Sequence, residues 1–300
     1  MIHHSVSKNR AVLMAAAAVI LLICFNQPAA HAQIDTEISK EYLITLKDGG
    51  TVKGKIVSQN SEQIVVQTSS MGDVTIRRSD ITGIRELSSK DALKGWFPNP
   101  NPSKYLIGNS AIPLEKGRGY YQNTWIFFNG ASYAFTDNLS ITGGVEIFSL
   151  LAGGDGPFAF YLNPKMSFEV TDNLYLGGNI LYVNSFRSFE DFSGLGTLNA
   201  FGTYGNDNNN ITAGVGWGFY GQDLASRPVI TIGGMARAGR RIAFVSENWL
   251  IPVDGMYGIY SYGIRFLGEN ISLDLAFINN ADIASGLVIG IPFLDFVFNF

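Results

Sequence analysis

The sequence predicts an all-β protein in two parts: a small five-stranded module, then a larger antiparallel β-barrel of about twelve strands. Apolar and polar residues alternate with period 2 through most of the chain after residue 41. In the last two-thirds, the segments between breaks run to roughly 9–15 residues, longer than the usual strand of about 5–6. The breaks also reuse a short turn. Thr136-Asp137-Asn138-Leu139 recurs as Thr171-Asp172-Asn173-Leu174, and Gly268-Glu269-Asn270-Ile271 is similar.

Composition narrows the function classes. The 300 residues carry a net charge of −4, with 21 Lys+Arg against 25 Asp+Glu, so no basic excess argues for nucleic acid as a partner. With 15% charged residues, 13% aromatic and 34 Gly, the chain is too apolar for a disordered protein and too poorly charged for a coiled coil. All three histidines (His3, His4, His31) and the single cysteine, Cys24, fall in the first 32 residues. Without that segment there are no disulfides, no Cys/His zinc site, and no imidazole or thiolate catalysis. No cofactor and no metal site are expected.

Residues 1–32 read as a secretory signal. Lys8 and Arg10 precede an unbroken apolar run from Ala11 to Phe25, and Ala30-His31-Ala32 offers small residues at a cleavage site before Gln33. The run is short of the roughly 20 residues of a spanning helix. A lipoprotein signal ending at Cys24 is the rival reading, disfavoured because Ile23 is not small. Removal of the segment leaves 19 basic against 25 acidic residues, a net −6.

Residues 40–87 form the small module. Tyr42–Leu46, Thr51–Val57, Gln63–Thr68, Val74–Arg77 and Ile81–Arg85 are short strands, and Lys47-Asp48-Gly49-Gly50 has turn chemistry. Five short strands with tight turns predict a small closed barrel. Through Leu46-Lys47-Asp48-Gly49 followed by Gly54, the segment resembles the Sm-like and SH3-like barrels. The RNA binding of Sm proteins does not carry over, because six Lys/Arg balance six Asp/Glu between Glu41 and Glu86. The expectation is a structural or protein-contact module, with a glycan as the alternative partner. Residues 88–103 read as a linker, because Pro98, Pro100 and Pro102 cannot donate to a ladder.

Residues 104–300 supply the barrel. The twelve expected strands are 104–113, 119–135, 139–151, 158–170, 174–186, 195–204, 210–220, 228–238, 241–252, 256–267, 271–278 and 286–300. The short Asn-containing turns then follow even strands, and the longer breaks 187–194, 221–227 and 279–285 follow odd ones. In Phe158–Val170 the even positions are apolar and the odd ones are Ala159, Tyr161, Asn163, Lys165, Ser167 and Glu169. Ile211–Phe219 and Leu139–Ile147 split the same way, and Arg241–Ile251 does not resolve. Three-residue loops would pair Phe135 with Leu139 and Val170 with Leu174. A two-residue loop at Glu269-Asn270 would pair Phe266 with Leu273, Ile264 with Leu275, Tyr262 with Phe277 and Arg265 with Asp274.

The last strand places Leu294, Phe296, Phe298 and Phe300 on one face, ending on an aromatic residue. This resembles the terminal signal of bacterial outer-membrane β-barrel proteins. The resemblance implies a transmembrane barrel in the outer membrane, in contact with its lipid and with the barrel assembly machinery, and the small module in the periplasm. It implies no substrate. Enzymes of that family centre their sites on histidine, which the mature chain lacks; chemistry by paired carboxylates alone stays conceivable.

The charged residues expected inside are Glu146, Lys165, Glu169, Arg237, Arg265, Asp274 and Asp295. They either compensate one another or form a ring that selects a small polar solute. Twelve strands fall between the about eight that side chains fill and the about sixteen that leave an open channel. Gly153-Gly154-Asp155-Gly156 and Asn206–Asn210 read as turns, since no helix follows the first and no calcium-loop spacing fits the second. The expected function is a narrow solute channel or an envelope structural or anchoring protein. The alternative is a soluble periplasmic barrel carrying a lipid or other apolar ligand, with its aromatic face turned inward.

Overall fold

The computed structural model describes residues 41–87, 96, 99–151, 158–186, 193–252 and 255–300. The signal segment, most of the Pro-containing linker and the Gly153–Gly156 turn lie outside the described residues. The chain divides into two compact units, Met1–Ser88 and Ser89–Phe300.

The first unit is a five-stranded antiparallel sheet. Its strands are β1 (Glu41–Leu46), β2 (Thr51–Gln59), β3 (Gln63–Thr68), β4 (Gly72–Arg77) and β5 (Ile81–Leu87), in the order β4-β3-β2-β1-β5. A 3₁₀ turn, Arg78–Asp80, leads into β5. Alternate residues turn inward, so Tyr42, Ile44, Val52, Ile56, Ile64, Val66 and Ile76 form the core. Gly54 is required where β2 meets β3: a Cβ there would lie 2.2 Å from the Gln67 carbonyl oxygen. Among the described residues no ladder joins β4 to β5, so the sheet is not closed by pairing as the expected small barrel would be.

The second unit is a closed barrel. Its elements are β6 (Gly119–Thr124), β7 (Phe128–Ala134), β8 (Leu139–Glu146), α1 (Phe148–Leu151), β9 (Phe158–Thr171), β10 (Leu174–Phe186), β11 (Leu195–Gly205), β12 (Asn209–Tyr220), β13 (Asp223–Leu224), β14 (Val229–Arg237), β15 (Ile242–Ile251), β16 (Tyr257–Leu267), β17 (Ile271–Asn279), α2 (Ala281–Gly286) and β18 (Ile291–Asn299). The sheet has 13 strands, of which β13 is a two-residue addition to β12, leaving a ring of twelve. Sequential strands pair antiparallel, and β6 pairs with β18 from Tyr120↔Asn299 to Thr124↔Asp295, which closes the ring. Closure removes the free edges that a sheet of this length would otherwise present.

The twelve strands differ from the expected twelve in two offsetting ways. Residues 104–113 are not a strand of the wall; within them a single bridge joins Lys104 to Asn109. The segment 119–135 is two strands, broken at Trp125-Ile126-Phe127. Trp125 and Ile126 adopt φ of 50° and 69°, a region that a β-branched residue rarely enters. The turn is held from β18: Trp125 donates its backbone N–H to the Leu294 carbonyl at 2.9 Å and its indole N–H to the Pro292 carbonyl at 2.7 Å. No Gly or Asn stands within the turn, but the side-chain amides of Asn123 and Asn129 on its flanks donate to the Ile126 carbonyl at 2.9 and 3.4 Å. The last strand also starts later than expected, at Ile291, after α2 and a connecting segment.

Side chains sort across the wall with period 2. Phe135, Leu176, Ile211, Phe244, Tyr262, Ile264, Phe266, Leu275, Leu294, Phe296, Phe298 and Phe300 face outward and exposed. Ser132, Ser140, Lys165, Asn179, Thr203, Thr212, Ser261, Arg265, Asp274 and Asp295 face inward and are buried. The phenylalanine-rich faces therefore lie outside, the reverse of what an apolar-ligand carrier needs. Aromatic rings cluster on the outer surface toward the long-loop end, where Phe160 and Phe186 lie 4.4 Å apart and Tyr182 stacks on Phe219 at 6.5 Å. The ladder of β16 and β17 pairs Phe266 with Leu273, Ile264 with Leu275, Tyr262 with Phe277 and Arg265 with Asp274. The Thr171 turn is tighter than expected: Leu174 opposes Thr171 and Tyr175 opposes Glu169, so Val170 is bulged and unpaired with Leu174.

Candidate functional site

The barrel interior is occupied by the chain itself. Residues 99–112, expected to complete the linker and begin the first strand, run inside the ring. Asn99, Asn101, Ser103, Lys104, Tyr105, Leu106, Ser110, Ala111 and Ile112 are all 5% exposed or less. The segment folds as a narrow loop in which the Tyr105 N–H reaches the Gly108 carbonyl at 2.9 Å and the Ser110 N–H reaches that of Ser103 at 3.2 Å. Too short to satisfy its own backbone, it draws partners from the wall.

Three wall side chains meet that need. Lys165 on β9 donates its ammonium to the carbonyls of Ser103, Ser110 and Ile112 at 2.8–3.0 Å. Arg265 on β16 donates to the carbonyls of Asn101, Lys104 and Tyr105 at 2.7–3.2 Å. Glu247 on β15 does the converse, accepting from the backbone N–H groups of Leu106, Ile107 and Gly108 at 2.8–3.1 Å. An ion pair adds to these: Lys104 Nζ lies 2.5 Å from Asp295 Oδ2, with both side chains buried. Such charge-assisted bonds are roughly twice as strong as neutral ones, and their partners here are shielded from water.

Apolar packing completes the seat. Tyr105 and Leu106 join Met235, Ala243, Val245, Leu267, Ala276 and Phe293 in one cluster. This explains why Arg241–Ile251 gave no readable alternation. In β15 the inward face carries Ala243, Val245, Glu247 and Trp249, because it packs on the inner segment rather than facing water. The Tyr105 ring lies so close to β14 that a Cβ at Gly233 would fall 2.8 Å from it. Its hydroxyl donates to Asn210 Oδ1 at 2.7 Å and lies 2.6 Å from Thr212 Oγ1. On the stem of the segment, the Trp96 ring sits 4.9 Å from the Arg237 guanidinium carbon.

The seven residues expected as interior charges thus divide. Lys165, Arg265 and Asp295 bond the inner segment directly, and Asp274 is held by Arg265. Arg237 is buried at the short-turn end, where Asn208 Oδ1 accepts from it at 2.6 Å and the carbonyls of Gly239 and Arg240 accept at 3.1 and 2.7 Å. Glu146, half-buried at the opposite end, accepts from the N–H and hydroxyl of Ser149 at 3.0 and 2.8 Å. Glu169 is exposed at the rim, because β9 runs on past the filled interior before its bulge. Sequence reasoning missed Glu247 and Lys104. A lone carboxylate among Ala243, Val245 and Trp249 was a readable signal for the first; nothing local marks the second.

Above the inner segment, toward the long loops, a cavity of about 330 Å³ remains, floored by Lys104–Asn109. One wall is an amide ladder across three strands. Asn179 donates to Asn163 Oδ1 at 2.7 Å, and Asn199 donates to Asn179 Oδ1 at 2.9 Å and to Thr197 Oγ1 at 2.9 Å. Trp249, Tyr161 and Trp125 contribute aromatic surface. Among the described residues no group of three or more His, Cys, Asp or Glu could hold a metal ion, and no helix is long and apolar enough to cross a membrane.

Fold and interior define a class: an up-and-down antiparallel β-barrel, apolar outside and polar within, whose interior is partly filled by the residues leading into its first strand. No protein-family model matches the chain, and no curated protein matches it in sequence. Among solved structures it is similar to the KdgM porin, at 6% identity and a TM-score of 0.42, over 61% of this chain and 96% of that one. It is similar to the NanC porin at 7% identity and a TM-score of 0.38, over the same shares. With the outer membrane protein OprD from Pseudomonas aeruginosa, it shares 11% identity and a TM-score of 0.32, over 87% of this chain and 92% of that one. Likeness this shallow carries no weight for function.

Proposed function

We propose that this chain is an integral outer-membrane β-barrel acting as a narrow channel for a small polar solute, held closed by its own residues 99–112. The observation that carries the reading is the sorting of side chains across a closed wall. A continuous belt of exposed Phe, Leu, Ile and Tyr outside would be an aggregation liability in water and suits hydrocarbon. Nine of the twelve wall strands run to 9 residues or more, and a tilted crossing takes about 9–11. The short turns, the start of β6 and the end of β18 share one end, which the reading assigns to the periplasm together with the module of residues 41–87. Leu294, Phe296, Phe298 and Phe300, outward on the closing strand, are offered as the signal read by the barrel assembly machinery. The module is offered as a contact for a periplasmic protein or glycan. No catalytic role is assigned.

A second reading, an envelope structural or anchoring protein, draws on the completeness of the interior contacts, since a barrel sealed this firmly could serve without conducting. Planar-bilayer recording separates the two. The unaltered chain is expected to show rare current steps, and a variant that loses two of the three wall side chains bonded to the backbone of residues 99–112, Lys165→Ala with Glu247→Ala, frequent ones. A folded, membrane-inserted variant that passes no current ends the channel reading and leaves the structural one.

A further inference from the structure

We infer that the cavity on the long-loop side of residues 99–112 is a binding site for an organic cation, an ammonium group carried on a small apolar body. The inference rests on the channel reading and names its substrate class. The volume, about 330 Å³, is at the small end of ligand sites, which run to about 300–1,000 Å³, and suits a body of a single ring.

The wall supplies the apolar half of the match. At this end period 2 turns Phe128, Tyr161, Leu181, Val183 and Trp249 toward the cavity, where the same strands carry Ser132, Lys165 and Asn179 deeper in the barrel. The Tyr161 ring lies across β7 and β8, over Gly130 and Gly144, where a Cβ would fall 2.1 and 2.4 Å from it. Trp125 and Trp249 spend their indole N–H groups on the Pro292 carbonyl and on Glu247, so their rings offer the cavity carbon and π surface. An ammonium near such rings is attracted by their quadrupoles. The amide ladder does not compete for the ligand at Asn199, which spends both N–H donors on Asn179 and Thr197 and sets its oxygen over Gly216.

The charge on the lining is negative. Its charged residues are Lys104, Glu146 and Glu247. Lys104 is neutralised by Asp295. Among the described residues neither glutamate is paired with a Lys or Arg. Glu247 accepts from the backbone of Leu106, Ile107 and Gly108 and from the Trp249 indole, and Glu146 from the N–H and hydroxyl of Ser149. All of these donors are neutral, so none cancels a carboxylate's charge. Glu247, engaged by four groups beside the floor, acts through its field. Glu146, at the long-loop end, gives Ser149 two of the about four acceptor sites of a carboxylate and keeps the rest for a ligand. Its ladder partner is Phe128, whose ring lies 6.3 Å from that of Trp125, so those sites stand beside the aromatic wall. A carboxylate without a counter-ion is costly on an apolar lining, and a bound ammonium relieves that cost. An anion meets two like charges, and a neutral solute leaves both uncompensated.

The test is calorimetric titration of the folded full chain in detergent with phenethylammonium, each heat corrected for the same detergent without protein. The comparators are phenethyl alcohol, which lacks the charge, hydrocinnamate, which reverses it, and methylammonium, which lacks the apolar body. Saturable binding of phenethylammonium is expected, with each comparator weaker by roughly tenfold or more. Glu146→Gln, which keeps an acceptor oxygen for Ser149 but not the charge, is expected to weaken phenethylammonium roughly tenfold or more, as the loss of a charge-assisted bond implies. In the unaltered chain, where no folding defect can intervene, phenethylammonium is expected to reduce acrylamide quenching of tryptophan fluorescence more than the alcohol does, since Trp125 and Trp249 both line the cavity. No saturable heat with phenethylammonium, equal or tighter binding of any comparator, or unchanged affinity in Glu146→Gln overturns the inference. Binding needs no current, so an amine bound by a barrel that never conducts sinks only the channel, and current without binding sinks only this site.

Discussion

Arg265 and Asp274 face each other across the β16–β17 ladder, joined by hydrogen bonds of 2.7 and 2.8 Å, and neither is more than 1% exposed. The pair anchors the interior, because the donors Arg265 does not spend on Asp274 hold three carbonyls of the inner segment. Removing one partner strands a buried charge, at a cost of about 3–5 kcal/mol. Asp274→Ala is therefore expected to lower stability in urea by that order, and Asp274→Ala with Arg265→Met by less than the two single changes summed. The charge swap, Arg265→Glu with Asp274→Arg, restores the ladder pair but not the three carbonyl contacts. Its resistance to heat, read by gel mobility, is expected to recover only in part. Full recovery would show that the carbonyl contacts contribute nothing.

Glu247 controls whether residues 99–112 stay seated. Its carboxylate accepts from three consecutive backbone groups at the tip of the inner loop. Bonds to a charged group contribute about 1.5–3 kcal/mol each, and every 1.4 kcal/mol is about tenfold in an equilibrium. Glu247→Ala is expected to raise the open fraction in planar bilayers by roughly tenfold or more. Glu247→Gln keeps one acceptor oxygen and is expected to fall between. An unchanged open fraction in both would mean that the tip is not what closes the barrel.

The contrast between the wall and its filling shows what a sequence can carry. The β16–β17 register was legible because the turn at Gly268–Ile271 fixes the loop length and period 2 does the rest, bringing Arg265 to Asp274. The outward faces of β9 and β12 were legible for the same reason. Residues 99–112 were not, because Tyr105-Leu106-Ile107 reads as the apolar start of a strand. What takes it inside is Lys165, Glu247 and Arg265, which come from three separate strands and converge only after the ring closes. The break at Trp125 was hidden similarly: the turn itself is Trp-Ile-Phe, and what holds it is β18 together with Asn123 and Asn129 on its flanks.

The outward belt makes a depth-dependent prediction. Leu275 lies near the middle of β17 and Ile271 at its end, both exposed on the outer face. In lipid vesicles, Leu275→Arg is expected to destabilise the fold by about 2–4 kcal/mol and Ile271→Arg by about 0–1 kcal/mol, as arginine moves from the bilayer midplane to its edge. Equal, small effects at the two positions would mean that this surface does not face hydrocarbon.

Ala111 and Thr203 offer a reversible lock on the inner segment. The Ala111 N–H donates to Thr203 Oγ1 at 2.7 Å, and both residues are fully buried between the segment and β11. The only native cysteine is Cys24, inside the segment read as a signal, so a cysteine pair at positions 111 and 203 would have no competitor in the barrel. Ala111→Cys with Thr203→Cys, placed on the Glu247→Ala background, is expected to silence the current steps when oxidised and release them on addition of dithiothreitol. Each single cysteine should leave the steps insensitive to reductant. If the steps persist with the bond shown to be formed, solute passes without the segment leaving its seat, and the closure must lie elsewhere in the barrel.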